Sequence, residues 1–268
     1  MDTHYPTIDQ PATPDYVLAI FNEVSRQQYC GCWGSYQPDE LSFDSTVQDL
    51  VEALEWFEWP EGPEFGRACN RFFRIDCSGA EWEAVSKPAN EKRLAGVCEL
   101  IARHARRQVI RPARLLGRTC TSAGAFLAIR SLLQEAGANA AEIAPSTLLA
   151  PYTRRYVMQF MGPISWLAPG ALPIARIRQP LYDAGLLCYP VGGALAIIGS
   201  CSGPSLLMVA GCLMCIASIP LTWIAARCML PSRVEFGELR TFRDLAKAIT
   251  EGGHADSDCA TDAGTSNA

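Results

Sequence analysis

Histidine is scarce in this chain: His4, His104 and His254 are all it has. His4 and His254 lie near the ends, and His104 lies within the basic run "ARHARR", where positive charge complements a helix C-terminus. With no acid–base pair in view, imidazole-centred catalysis has no starting point, and the chain is not expected to be an enzyme. An excess of positive charge is missing too. The formal net charge is −5, which excludes nucleic acid as the main partner, because duplex binding rests on Lys and Arg neutralising phosphates. No secretory signal is expected either, since Met1–Pro14 is polar and carries three prolines. No stretch alternates convincingly between apolar and polar residues, so the expected fold class is all-α.

The longest absence is of charge. Between Asp183 and Arg227 there is no Asp, Glu, Lys, Arg or His. A membrane-spanning helix needs about 20 apolar residues, so this run predicts a hairpin of two transmembrane helices, 184–201 and 205–226, turning at Ser202–Pro204. Its glycines and alanines allow close helix packing. Arg176 and Arg178 before the hairpin, and Arg227 and Arg233 after it, put both flanks on the cytoplasmic side. The expectation is an integral membrane protein with both termini cytoplasmic. A buried hairpin in a soluble core is the alternative.

Cysteine, by contrast, is plentiful: twelve residues are scattered from Cys30 to Cys259. Small disulfide scaffolds are shorter and keep their cysteines in soluble loops, so reduced thiols acting as small hydrophobes are expected. Cys30 and Cys32 in "CGC" lack a histidine neighbour, and a zinc site needs four ligands. Cys212 and Cys215 in "CLMC" have redox spacing, but an apolar helix opposes a thiolate. "GSCSG", Gly199–Gly203, has the outline of a nucleophile elbow without the strand–helix context that gives it meaning. No metal and no cofactor are expected.

Helical periodicity organises the rest. Val17, Leu18, Ile20, Phe21 and Val24 suggest a first helix. "STVQDLVEALEWF" suggests a second with Ser45 as its N-cap, and "EFGRACNRFFRI" a third. "SGAEWEAV" opens with Ser78 as a cap. "RLAGVCELIARHARR" closes the first segment. The domain boundaries are then a flexible tail at 1–14, a helical domain at 15–106, a basic linker at 107–120, a second helical domain at 121–250 that contains the hairpin, and a tail at 251–268. The second domain opens with "TSAGAFLAIRSLLQEAG", continues through "TRRYVMQFMGPISWLA" and ends on "GELRTFRDLAKAI", with Thr241 one turn ahead of Asp244 as a capping residue. That last phrase matches the earlier closing helix. Setting Phe242 on Leu94 puts Leu245 on Val97 and Ile249 on Ile101, as in two copies of one repeat.

On these residues both segments resemble the acyl carrier protein family. An opening helix is followed by "PDELSFDSTVQDL", by central helices ending at "RIDCSGAEW" and by the closing "RLAGVCELIA". The second segment shows the same order, interrupted by the hairpin. The resemblance implies two acyl-carrier-like helical bundles. A carrier bears a phosphopantetheine arm on the serine of an Asp-Ser-Leu motif at the start of its central helix. In one register Glu52-Ala53-Leu54 falls on that motif, and Ala53 has no hydroxyl. In a second register Asp44-Ser45-Thr46 falls on it, which makes Ser45 the candidate phosphopantetheine site, although Ser before a helix also serves as a cap.

Two further groups are candidate contact surfaces. Trp56, Phe57, Trp59 and Phe65 could bind a partner or form a local core. Arg111, Arg114, Arg118, Arg176 and Arg178 could meet lipid headgroups or form a solvated face. The function expected is a membrane-anchored, non-catalytic scaffold or adaptor with membrane lipid and a cytoplasmic protein as partners. A functional carrier tethered to the membrane is the alternative, and a membrane-associated enzyme the second alternative.

Overall fold

Val17, Ile20, Phe21 and Val24 recur at helical spacing in α1 (Pro14–Gln28), and all four are buried. They meet the same kind of stripe on α5 (Leu94–His104), where Leu94, Val97, Cys98 and Ile101 are fully buried. Three further helices complete this core: α2 (Val47–Ala53), α3 (Pro63–Phe73) and α4 (Gly79–Ser86). The structure, a computed structural model, describes residues 7–28, 39–54, 63–115, 118–178, 180–201, 206–227 and 233–259.

A second core gathers around α6 (Thr121–Glu135) and α11 (Phe242–Cys259). Ile129 and Leu133 of α6 and Phe242, Leu245 and Ile249 of α11 are buried in it. Between them run α7 (Ala150–Arg155) and the short α8 (Val157–Gln159), where a single helix over "TRRYVMQFMGPISWLA" is predicted. Gly162 leaves helical geometry at φ −120° and ψ −109°, and Pro163 follows it with no N–H to donate, so the helix breaks into irregular turns.

The two cores are entered in the same register. Val47 N–H donates to Lys92 O at 2.9 Å, Leu94 N–H to Ser45 O at 2.8 Å and Ala95 N–H to Phe43 O at 3.2 Å. In the second unit Leu149 N–H donates to Arg240 O at 2.9 Å, Phe242 N–H to Thr147 O at 3.2 Å and Arg243 N–H to Pro145 O at 2.8 Å. The isolated bridges Thr46–Arg93 and Leu148–Thr241 occupy matching places. Leu94 and Phe242 therefore stand at equivalent positions.

The fold is not all-α. Among the described residues there are three two-stranded antiparallel sheets. β1 (Thr7–Pro11) pairs with β2 (Arg106–Ile110), so part of the expected N-terminal tail is a strand. β3 (Ala113–Leu115) pairs with β4 (Arg118–Cys120), so the expected basic linker is largely ladder. β5 (Ala175–Arg178) pairs with β6 (Arg233–Phe236). Strands of three to five residues are too short for alternation to show, and Arg and Pro interrupt what there is. At the other end α11 runs past residue 250 to Cys259.

The uncharged run does form a helical hairpin, α9 (Pro180–Cys201) and α10 (Leu206–Arg227), rooted on the β5–β6 ladder. A Cβ on Gly211 would lie 2.5 Å from Ala196 N, and one on Gly192 would lie 2.8 Å from Cys215 Sγ, so glycines set the close approach. The membrane expectation is overturned: among the described residues no helix is long and apolar enough to cross a membrane. Gly192, Gly193, Gly199, Ser200 and Pro190 break up the apolar side chains of α9, and freedom from charge is a weaker property than apolarity. The integral-membrane localisation and the cytoplasmic placement of the termini, which rested on that hairpin spanning a bilayer, fall with it.

The α11 start carries a pH dependence. Thr241 N–H and Thr241 Oγ1–H each donate to Asp244 Oδ2 at 2.9 Å, and Asp244 N–H returns a bond to Thr241 Oγ1 at 3.3 Å. These bonds hold the Asp244 carboxyl below its ordinary value. A carboxylate so depressed adds stability above its unfolded pKa and loses it as pH falls through the folded one. Asp244→Asn should therefore cost most near neutral pH, with its melting offset from the parent closing below about pH 4. An equal offset at both ends of a thermal-melt series would count against the cap.

Candidate functional site

The loop ahead of α2 is the place to which the carrier resemblance points. Asn22 of α1 pins it: its Nδ2 donates to Leu41 O at 2.9 Å, and Leu41 N–H donates to Asn22 Oδ1 at 2.8 Å. Ser45 N–H donates to Ser42 O at 3.1 Å, and Ser42 N–H donates to Ser45 Oγ at 3.0 Å. The Ser45 hydroxyl thus closes a turn, and the residue is half-buried. It is not the N-cap. That role belongs to Thr46, whose Oγ1 accepts from Asp49 N–H at 3.1 Å while Asp49 Oδ2 accepts from Thr46 N–H at 2.7 Å. Arg93 ties the loop to the start of α5 by donating to Asp44 O. Ser45 stands one residue ahead of the Thr46 cap of α2, whereas Ala53 is the last residue of that helix.

The expected contact surfaces separate. Trp56, Phe57 and Trp59 lie outside the described residues. Phe65 is a core residue, 2% exposed and edge-on to Trp82 with ring centroids 5.9 Å apart, so it offers no surface. Arg111, Arg114 and Arg118 are exposed on and beside the β3–β4 ladder, and Arg176 is exposed on β5 opposite Glu235. Arg178 pairs in register with Arg233. The first three arginines therefore share one ribbon, and the other two belong to a different one. Cys30 and Cys32 lie outside the described residues; Cys69, Cys77 and Cys98 are buried in the first core. Burial drives the Cys69 thiol well above its ordinary pKa and Cys98 up to about 12, which keeps both protonated and inert. Among the described residues no group of three His, Cys, Asp or Glu is placed to hold a metal ion.

The structure assembles two features that sequence reasoning missed. One is an open cleft of about 500 Å³ between the β1–β2 ladder and α6, with Asp9, Gln108, Arg111, Ser131 and Glu135 around it and Leu132 in its wall. It exists only because β1 pairs with β2, so no local signal announces it. The other is a polar junction between the two units. Glu23, 2% exposed, accepts from Gly170 N–H at 3.1 Å, from Gln27 Nε2 at 3.0 Å and from the Arg26 guanidinium. Arg26 also donates to Leu172 O, and Gln27 Oε1 accepts from Ala175 N–H at 3.0 Å. Beside this, Tyr16 donates its hydroxyl to Trp166 O at 3.0 Å, and Phe72 packs on Trp166 with centroids 4.9 Å apart. Burial pushes the Tyr16 phenol up to about 12, against the pull of the Arg107 guanidinium stacked 5.9 Å over its ring. The phenol is therefore a permanent donor at neutral pH.

Chemically, these arrangements hold and position, and the Ser45 hydroxyl is engaged in the turn with Ser42. Comparison of the chain with family models, with curated proteins and with solved structures gives no match.

Proposed function

We propose that the chain is a non-catalytic scaffold or adaptor, built from two degenerate carrier-like helical units that hold a protein partner. The observation that carries this reading is that neither carrier register supplies a free hydroxyl at a helix start: Ala53 is a methyl-bearing residue at the end of α2, and the Ser45 hydroxyl accepts from Ser42 N–H at 3.0 Å in the turn ahead of the Thr46 cap. A methyl cannot attack the phosphate diester of coenzyme A. The polar junction of Glu23, Arg26 and Gln27 supports the same reading, because it gives the units a fixed relative position, which is what holding a partner requires.

A second reading rests on a different observation. Ser45 stands one residue ahead of the Thr46 cap of α2, close to the kind of helix start at which a carrier's serine stands, and the residue is half-buried. In that case the chain is a functional carrier. Intact-mass measurement after co-expression with a promiscuous phosphopantetheinyl transferase separates the two. The scaffold reading expects an unmodified mass. A gain of one arm, lost in Ser45→Ala, overturns it in favour of the carrier.

A further inference from the structure

Among the described residues α9 and α10 pack chiefly on each other. Large apolar side chains on both helices nevertheless stand exposed: Leu206 is 88% exposed, Ile197 67%, Leu187 65%, Ile216 63% and Leu213 61%. The large apolar side chains on the hairpin together expose on the order of 1,000 Å², beyond the few hundred Å² of an ordinary surface patch and comparable to the ~800 Å² each partner contributes to a stable interface.

We propose that this hairpin is a homodimer interface, covered by the hairpin of a second copy of the chain to give a four-helix bundle. Three observations support the assignment. The exposed area is what an isologous contact needs. Residues 184–226 carry no charge, so the patch can face itself without repulsion, a condition that a patch of one sign fails. The inner face of the hairpin is already closed by Gly192, Gly199 and Gly211, whose close approach to the opposite helix leaves no room for a third helix between α9 and α10. The occupant must therefore lie on the outside, where Leu187 and Ile197 of α9 and Leu206, Leu213 and Ile216 of α10 are exposed. The proposal stands apart from the scaffold reading, because either a scaffold or a carrier could be dimeric.

The test is the mass of the full chain in solution by analytical ultracentrifugation. At about 10 µM the expected species has twice the chain's mass, the behaviour of an interface with micromolar or tighter affinity. Ile197→Lys combined with Ile216→Lys should raise the dissociation constant at least ~100-fold, with an unchanged helical circular-dichroism signal. A parent chain that sediments as a monomer overturns the proposal. So does a substituted chain that stays folded and dimeric, and so does a parent chain that floats as a monomer with phosphatidylcholine vesicles, since lipid would then be the occupant. If the lysine pair does not fold, a photoreactive residue at Leu213 decides instead. A chain-to-chain crosslink joining two hairpins supports the dimer, and one that lands elsewhere, or nowhere, overturns it.

Discussion

Replacing Glu23 by alanine is expected to destabilise the protein by about 3 kcal/mol, the range for removing one partner from a buried ion pair that is also hydrogen-bonded. The Glu23 side chain has no solvent exposure, while Arg26 keeps 24% of its own. The figure therefore sits at the low end of that range, because the stranded guanidinium can recover some water. The loss is larger than one ion pair would suggest. Gly170 N–H also loses its acceptor and Gln27 Nε2 keeps only a bond of 3.4 Å to Pro173 O, and a buried donor without a partner costs about 1–3 kcal/mol unless water reaches it.

For a chain of this size the melting temperature should fall by roughly 6–12 °C. Glu23→Gln, which keeps one acceptor oxygen but neither the second nor the charge, should lose less. The control is Glu64→Ala. Glu64 pairs with Arg67 at 3.0 Å, but both side chains are more than 60% exposed, and an exposed pair of this kind contributes about 0–1 kcal/mol. If Glu23→Ala and Glu64→Ala melt alike, the junction is not a structural lock. If they differ as expected, amide exchange should show Gly170 and Ala175 losing protection first, because their N–H groups are the ones the junction holds.

That junction was invisible in the sequence for a physical reason. Glu23, Arg26 and Gln27 stand on one helix with the spacing of a solvated polar face, and only contact with residues 170–175 turns them into a buried cluster. The closing helices were legible because their information is local. Leu94, Val97 and Ile101, like Phe242, Leu245 and Ile249, repeat at helical spacing and are all buried. The Ser78 and Thr241 caps were legible too, each with an acidic residue three positions on, as a capping box requires. The same rule applied one residue further along would have chosen Thr46 with Asp49 over Ser45, and the apolar run alone could not settle that step. The ladders escaped notice because each strand is only three to five residues long, too short for alternation to show, and in the β1–β2 ladder partners such as Ile8 and Val109 are also about a hundred positions apart. The hairpin was legible as two helices but misjudged as a membrane element, because counting missing charges does not measure how much apolar side chain the run carries. For the candidate site, Ser45 and Ala53 were found from the sequence, while the turn that engages the Ser45 hydroxyl appears only once Ser42 and Ser45 are placed together.

The matching register of the two units leads to the other large effect. Phe242 is fully buried, meets Tyr152 edge-on at 5.3 Å and shares its core with Phe160 and Phe236. Phe242→Ala should cost about 3–5 kcal/mol, the transfer free energy of the ring plus the cavity it leaves. Leu94 holds the equivalent place in the first core, and Leu94→Ala should cost about 2–5 kcal/mol there. What distinguishes the pair is where each loss appears. The two cores share no buried residue, and the polar junction between them involves neither Leu94 nor Phe242. Hydrogen exchange in Phe242→Ala should therefore rise along α6 and α11 while α1 and α5 stay protected, and Leu94→Ala should show the reverse. Equal loss of protection in all four helices after either substitution would mean that the protein melts as one cooperative unit. The repeated register would then describe how the chain is laid out without dividing how it unfolds.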